Sequence, residues 1–238
     1  MMNVTKCRIG CAGWNLPKDL RDPALSHLER YAQLFNCVEI NSSFYRHHQP
    51  KTYARWAKDT PADFRFSVKA PKTVTHAAEP DQAALDRFLS EISELGNKLG
   101  PVLLQFPPKA AFRKDAARLL FLGFRRTFAG EIVCEPRHVS WFEPEADELL
   151  KEHSISLVAA DPKPVANAPG VLGQEGRESR YYRLHGSPQI YYSAYTEEFL
   201  DRFKRQLALG HTGAWVIFDN TALGHAYPNA LALMGSAP

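Results

Sequence analysis

The sequence predicts an α/β fold: a single (β/α)8 barrel of the TIM type over residues 1–238, irregular after its sixth strand. Three observations lead there. Short β-branched or aromatic runs alternate with amphipathic windows, the pattern of parallel βα units. The strand-like runs number eight. A chain of 238 residues is also the size at which one barrel forms a whole domain.

In chain order the expected strands are 8–13 (RIGCAG), 37–41 (CVEIN), 64–69 (FRFSVK), 101–106 (PVLLQF), 131–135 (EIVCE), 155–160 (ISLVAA), 180–185 (RYYRLH) and 214–218 (AWVIF). The helices between them carry their own punctuation. Asp22-Pro23 reads as an N-cap and a first-turn proline, followed by Leu25, Leu28, Ala32 and Phe35 at helical spacing. Leu85, Phe88, Leu89, Ile92 and Leu95 form a second stripe that stops at Gly96. Thr196 caps a third, carried by Phe199, Leu200, Phe203 and Leu207, with Gly210 beyond its end. Segment 161–179, DPKPVANAPGVLGQEGRES, has no such stripe. It is expected to be a long loop and a candidate flap in place of the helix after strand six.

Composition narrows the function classes. Basic and acidic side chains number 29 and 26, a net +3 that is too small to argue for nucleic acid from charge alone. No run approaches the roughly 18 apolar residues of a membrane helix, and no apolar leader opens the chain, so a cytoplasmic protein without a membrane partner is expected. Cys7, Cys11, Cys37 and Cys134 lack disulfide or zinc-ligand spacing and read as buried, reduced thiols. No P-loop, G-x-G-x-x-G, H-E-x-x-H or G-x-S-x-G motif is present, which removes support for nucleotide kinases, Rossmann dehydrogenases, zincins and α/β-hydrolases.

Strand parity carries the functional signal. Side chains of a barrel strand alternate between the interior and the layer beneath the helices. Even positions such as Val38, Ile40, Phe66, Val68, Leu104, Cys134, Tyr182, Leu184, Val216 and Phe218 are apolar. Odd positions near the strand ends are polar: Glu39, Asn41, Lys69, Gln105, Glu135, Arg137, Asp161, Arg183, His185 and Asp219. Burying so many polar groups is costly unless they pair with one another or with a ligand, so this face is where chemistry is expected.

The motifs on that face resemble a known family, the YecE-like domain of unknown function 72 (DUF72). The matching segments are Gly10-Cys11-Ala12-Gly13-Trp14, Val38-Glu39-Ile40-Asn41-Ser42-Ser43-Phe44-Tyr45, Phe64-Arg65-Phe66-Ser67-Val68-Lys69-Ala70-Pro71, Thr75-His76, Leu104-Gln105-Phe106-Pro107-Pro108, Arg183-Leu184-His185-Gly186 and Gly224-His225-Ala226-Tyr227-Pro228-Asn229-Ala230. The resemblance implies a TIM-barrel-like single domain and no established reaction. Glu135-Pro136-Arg137 departs from the family pattern, which has an aromatic between Glu and Arg. Proline cannot donate to a ladder, so Pro136 belongs at or beyond a strand end.

The favoured chemical reading is an enzyme acting on a small anionic substrate. Lys69, Arg137 and Arg183 would grip a phosphate or carboxylate, with Asn41, Tyr45, Gln105 and Asp219 as further binding residues. Glu39, Glu135 and His185 are the acid–base candidates. All are expected in one pocket at the carboxyl end of the strands. No cofactor is predicted. A second reading places a divalent metal among Glu39, Glu135, Asp161, His185 and Asp219, as in a hydrolase or nuclease. A third is a non-catalytic binder of a ligand or nucleic acid. A structural alternative is an internal ion-pair network in which Arg183 neutralises Glu135 and Lys69 neutralises Glu39. Trp14, Tyr45, Trp141 and Tyr191-Tyr192 are placed to stack on a ligand or to close loops. The oligomeric state is left open.

Overall fold

The computed structural model describes residues 7–17, 22–77, 79–172, 179–208 and 213–235. Along them run β1 (Arg8–Cys11), α1 (His27–Leu34), β2 (Cys37–Ile40), α2 (Pro50–Lys58), β3 (Arg65–Lys69), α3 (Lys72–Thr75), α4 (Gln82–Ile92), β4 (Leu99–Phe106), α5 (Lys114–Thr127), β5 (Ile132–Pro136), α6 (Pro144–Glu152), β6 (Ile155–Leu157), β7 (Ala159–Asp161), β8 (Tyr181–Leu184), α7 (Glu197–Ala208), β9 (Trp215–Phe218) and α8 (Ala226–Met234). The βα alternation is the expected one. All eight strand-like runs form strands, and the sixth is divided at Val158 into β6 and β7.

The strands form two parallel sheets, β1-β9-β8-β7 and β2-β3-β4-β5-β6. By contact the chain divides into two compact units. The first comprises Met1–Glu39, Val158–Lys163 and Pro169–Pro238, and the second Ile40–Leu157 and Pro164–Ala168. β2 straddles the boundary, with Cys37, Val38 and Glu39 in the first unit and Ile40 in the second.

Within the first unit, β8 pairs with β7 and β9 in a register that sets Asp161 beside Leu184 and Leu184 beside Phe218. The ladder runs one residue further, His185 N donating to Asp161 O and Asp219 N to Leu184 O. His185 and Asp219 therefore lie level with each other just past β8 and β9. Asp161 is instead level with Leu184, one residue short of them and on the side of Leu184 rather than that of Arg183, against the parity expectation. The parity rule holds on β8: Tyr182 packs edge-on against Phe203 of α7 at 5.2 Å, while Tyr181 and Arg183 turn the other way. α7 buries Leu200, Phe203 and Leu207, and Thr196 Oγ1 accepts from Phe199 N as the capping reading requires. Gly210 lies outside the described residues.

α1 corrects one boundary. Its cap is Ser26, in a reciprocal box with Glu29: Ser26 Oγ accepts from Glu29 N, and Ser26 N donates to Glu29 Oε2. Asp22 instead closes the preceding turn through Ala24 N, and Leu25 lies before the helix. A box satisfies two orphan donors where Asp22-Pro23 satisfies one, which moves the start four residues on.

In the second unit, β4 and β5 align Gln105 with Glu135 and Phe106 with Pro136, so Pro136 is the last residue of its strand, as its missing donor demands. α4 buries Leu85, Phe88, Leu89 and Ile92. Gly96 does not end that helix directly. It sits inside a following 3-10 turn, Ser93–Lys98, at φ 56°, a left-handed conformation that glycine adopts without penalty. Residues 162–172 contain no helix. Within the first unit, Gly170 forms an isolated parallel bridge with Ala160, and Gln206 of α7 donates to Val171 O. The remainder of the candidate flap, 173–178, lies outside the described residues.

Candidate functional site

In the first unit a chain of buried polar contacts crosses from β2 to the ends of β8 and β9. Arg183, fully buried, lays its fork on Glu39, with Nε 3.0 Å from Oε2 and Nη2 2.8 Å from Oε1. The Tyr181 hydroxyl donates to the same Oε2 at 2.9 Å. Arg183 Nη2 also reaches Asp219 Oδ2 at 2.9 Å, and His185 Nδ1 lies 3.0 Å from that oxygen. Glu39, His185 and Asp219 are all buried. The order is thus Tyr181, Glu39, Arg183, Asp219, His185, each holding the next.

Such a chain orients an imidazole. With the proton of Nδ1 directed at Asp219, the ring is held in one orientation. Arg183, itself held two-pronged on Glu39, fixes Asp219 through one Nη2 bond to the same oxygen that meets His185. The Tyr191 ring stands edge-on to His185 at 5.9 Å, and Tyr191 has φ 71°, a left-handed backbone unusual for a bulky residue.

Beside this chain, Asp161 Oδ1 and its carbonyl both receive the Tyr195 hydroxyl at 3.0 Å. Burial raises the Asp161 carboxyl above its ordinary value, opposed by the Tyr195 hydrogen bond and the neighbouring His185. Tyr195 in turn accepts from Gly186 N, and Asn229 clamps its backbone through both N and O. Asn220 donates to Asn229 Oδ1 and Ser193 O, and its own Oδ1 is buried without a hydrogen-bond partner among the described residues.

The second unit holds the other candidates. Arg137 brings Nε and Nη2 to Glu135 Oε1 at 3.1 and 2.9 Å. Gln105 is the register partner of Glu135, and both are buried. Lys69, buried at the end of β3, rests its ammonium 4.2 Å from the centre of the Phe44 ring, and Ser43 Oγ donates to its carbonyl. Asn41 begins the 3-10 turn Ser42–Phe44. Tyr45 follows that turn 72% exposed and packs edge-on against Phe44 at 4.9 Å.

Ion pairs join several of these side chains. Arg183 pairs with Glu39 and Asp219, and Glu135 pairs with Arg137, two residues along its own chain. The expected metal set is not assembled. Among the described residues no group of three or more His, Cys, Asp or Glu side chains is arranged to hold a metal ion, and a guanidinium already bridges Glu39 and Asp219. Trp141 stacks on Phe106 at 4.5 Å with its indole NH on Ala110 O. All four cysteines are free and buried, and burial pushes the Cys11 thiol up to about 12. Tyr181, Tyr195, Asn220 and Asn229 were missed. Tyr181 shares the odd parity of Arg183 and could have been found from it, whereas Tyr195 and Asn229 carry no periodic signal.

Comparison with known proteins places this chain in a family. The family described as "Protein of unknown function DUF72" matches residues 8–237. This chain belongs to the DUF72 family. The DUF72 chain is 32% identical over 166 residues to the UPF0759 protein YecE of Escherichia coli K12, a match covering 66% of this chain and 60% of YecE. It is 26% identical to the UPF0759 protein YunF of Bacillus subtilis 168, over 95% of this chain and 93% of YunF. Among solved structures it resembles a DUF72 family protein of Thermotoga maritima MSB8, with TM-score 0.76 and 25% identity, over 96% of this chain and 98% of that one. A DUF72 family protein of Enterococcus faecalis V583 gives TM-score 0.78 at 21% identity, over 96% and 94%. No helix among the described residues of this DUF72 protein is long and apolar enough to cross a membrane.

Proposed function

We propose that this DUF72 protein is an enzyme that moves a proton on a small carboxylate- or phosphate-bearing substrate, with His185 as the proton carrier. The observation that supports it most is a single oxygen: Asp219 Oδ2 receives both Arg183 and His185. A group gathered only for stability has no need to fix one tautomer of an imidazole. Glu39, Arg183 and Asp219 carry a formal charge of −1 together, and a proton gained by His185 brings the set to zero. Proton uptake there is compensated locally. Both Glu39 oxygens hold donors, so Glu39 and Tyr181 position Arg183 rather than react. Asp161, whose carboxyl burial shifts above its ordinary value, is a second acid–base candidate in the same unit.

In the second unit Lys69 and Arg137 remain candidate anion-binding residues. Glu135 is the acid–base candidate there, and Asn41, Tyr45 and Gln105 remain candidate binding residues. The closed (β/α)8 barrel and the single domain over 1–238 belong to this proposal rather than to its premises. So does a cytosolic setting, supported by four unbridged, buried thiols.

The test is a panel of small carboxylic acids and phosphate monoesters incubated in D2O and followed by proton NMR for conversion or solvent exchange. Turnover of at least one class is expected, lost at least about 100-fold in both His185→Gln and Asp219→Asn. Turnover unchanged in His185→Gln, or absent across the panel, defeats the reading.

A further inference from the structure

The second unit contains a cleft that the His185 reading does not use. It opens where the segment after α3, the loop after β4 and the first turns of α5 come together, and its volume is about 420 Å³. That lies in the range of small-molecule sites. Its lining divides by chemistry. Phe106, Leu120 and Trp141 supply an apolar wall, with the Phe106 and Trp141 rings stacked at an interplanar angle of 18°. His76, Lys109 and Arg113 supply the polar part.

The polar part is cationic, and its charge is only partly cancelled. Arg113 pairs with Glu79, both side chains being more than half exposed, so water weakens that pair. Among the described residues no carboxylate pairs with Lys109 or Lys72. His76 holds Thr75 Oγ1 through Nδ1 and packs edge-on against Phe44, whose ring also carries the Lys69 ammonium. Burial first, and then Lys69, Lys109, Arg137 and Lys72, keep its imidazole below the ordinary value of 6.5. The rim therefore has cations in excess and a neutral histidine among them, and an anion would relieve both.

We infer that this cleft binds a small amphipathic organic anion, its apolar body against Phe106, Leu120 and Trp141 and its carboxylate or phosphate at Lys109 and His76. The inference does not rest on His185 as a proton carrier, because its test is binding rather than turnover. A bare inorganic anion would leave the apolar wall unused, and a neutral aromatic would leave the cations unanswered.

Calorimetric titration of the full chain with phenyl phosphate, phenylacetate, inorganic phosphate and benzyl alcohol decides it. Phenyl phosphate is expected to bind about tenfold or more tightly than inorganic phosphate and than benzyl alcohol. Phenylacetate against phenyl phosphate tells which anionic head the rim prefers. Ala116→Trp, which fills the cleft from α5, should abolish the binding, and Lys109→Glu should weaken it about tenfold even if the first variant folds poorly. In NMR titrations His76 should shift its midpoint upward when phenyl phosphate is present. Equal binding of inorganic phosphate and phenyl phosphate would reduce the cleft to a charged surface. Equal binding of benzyl alcohol would remove the anion. Affinity unchanged in both variants would place the ligand elsewhere, and each of these outcomes overturns the inference.

Discussion

At the scale of single residues, the first unit concentrates ionisable groups whose protonation states depend on their neighbours. Asp161 is the clearest. Its folded-state proton affinity is raised by burial, against an ordinary value of 3.8. Below that value the carboxyl is protonated in both folded and unfolded chains and makes no difference to stability. As pH rises past it, the unfolded chain loses the proton first, the folded chain binds more protons, and stability falls until the folded carboxyl has also ionised. Asp161→Asn keeps an acceptor for the Tyr195 hydroxyl and removes the titration. The variant should match the parent near pH 3 and become the more stable of the two as pH rises through the acidic range. Urea midpoints of both proteins between about pH 3 and pH 8 measure this difference, and a gap that stays constant across the range would contradict it.

At the scale of elements, close approach between strands explains a glycine that composition alone leaves unremarked. Gly10 lies on β1, where an added Cβ would meet the Cys37 carbonyl of β2 and the Tyr31 hydroxyl of α1. That hydroxyl also receives Cys11 N at 2.7 Å and donates to Cys37 O at 3.0 Å, so it locks the helix to both strands. A methyl group at Gly10 must push apart two strands and disturb two buried hydrogen bonds. Overpacking and lost bonds together amount to about 3 kcal/mol or more for Gly10→Ala. In a chain of this size, the melting temperature should drop by about 6 to 12 °C. A variant melting with the parent would mean that β1 and β2 have slack that these contacts do not suggest. The same logic explains α1: Ser26 wins the cap over Asp22 because Glu29 stands three residues on and completes the box.

For the molecule as a whole, the buried charge set around Arg183 ties β2, β8 and β9 together. Arg183→Met leaves Glu39 and Asp219 buried without their cation and should destabilise the fold by about 3 to 5 kcal/mol in urea unfolding. Adding Glu39→Gln and Asp219→Asn removes the stranded charges, and the triple variant should regain much of that loss. A single variant within about 1 kcal/mol of the parent would show that the pairing matters little to stability. The amino-acid sequence by itself determined the βα alternation, the helical stripes of α4 and α7, the cap of α7 at Thr196, the end of β5 at Pro136 and the shared side of Arg183 and His185. Each follows from a local rule: a period of two in strands, 3.6 in helices, a missing proline donor. Partner choice was settled only in three dimensions. Arg183 lies 144 residues from Glu39 and 36 from Asp219, and parity states which side of a strand a residue faces without stating which strand end it meets. Tyr195 and Asn229 were hidden for the same reason, since loop and helix residues join the cluster through register and packing that leave no periodic trace in the chain.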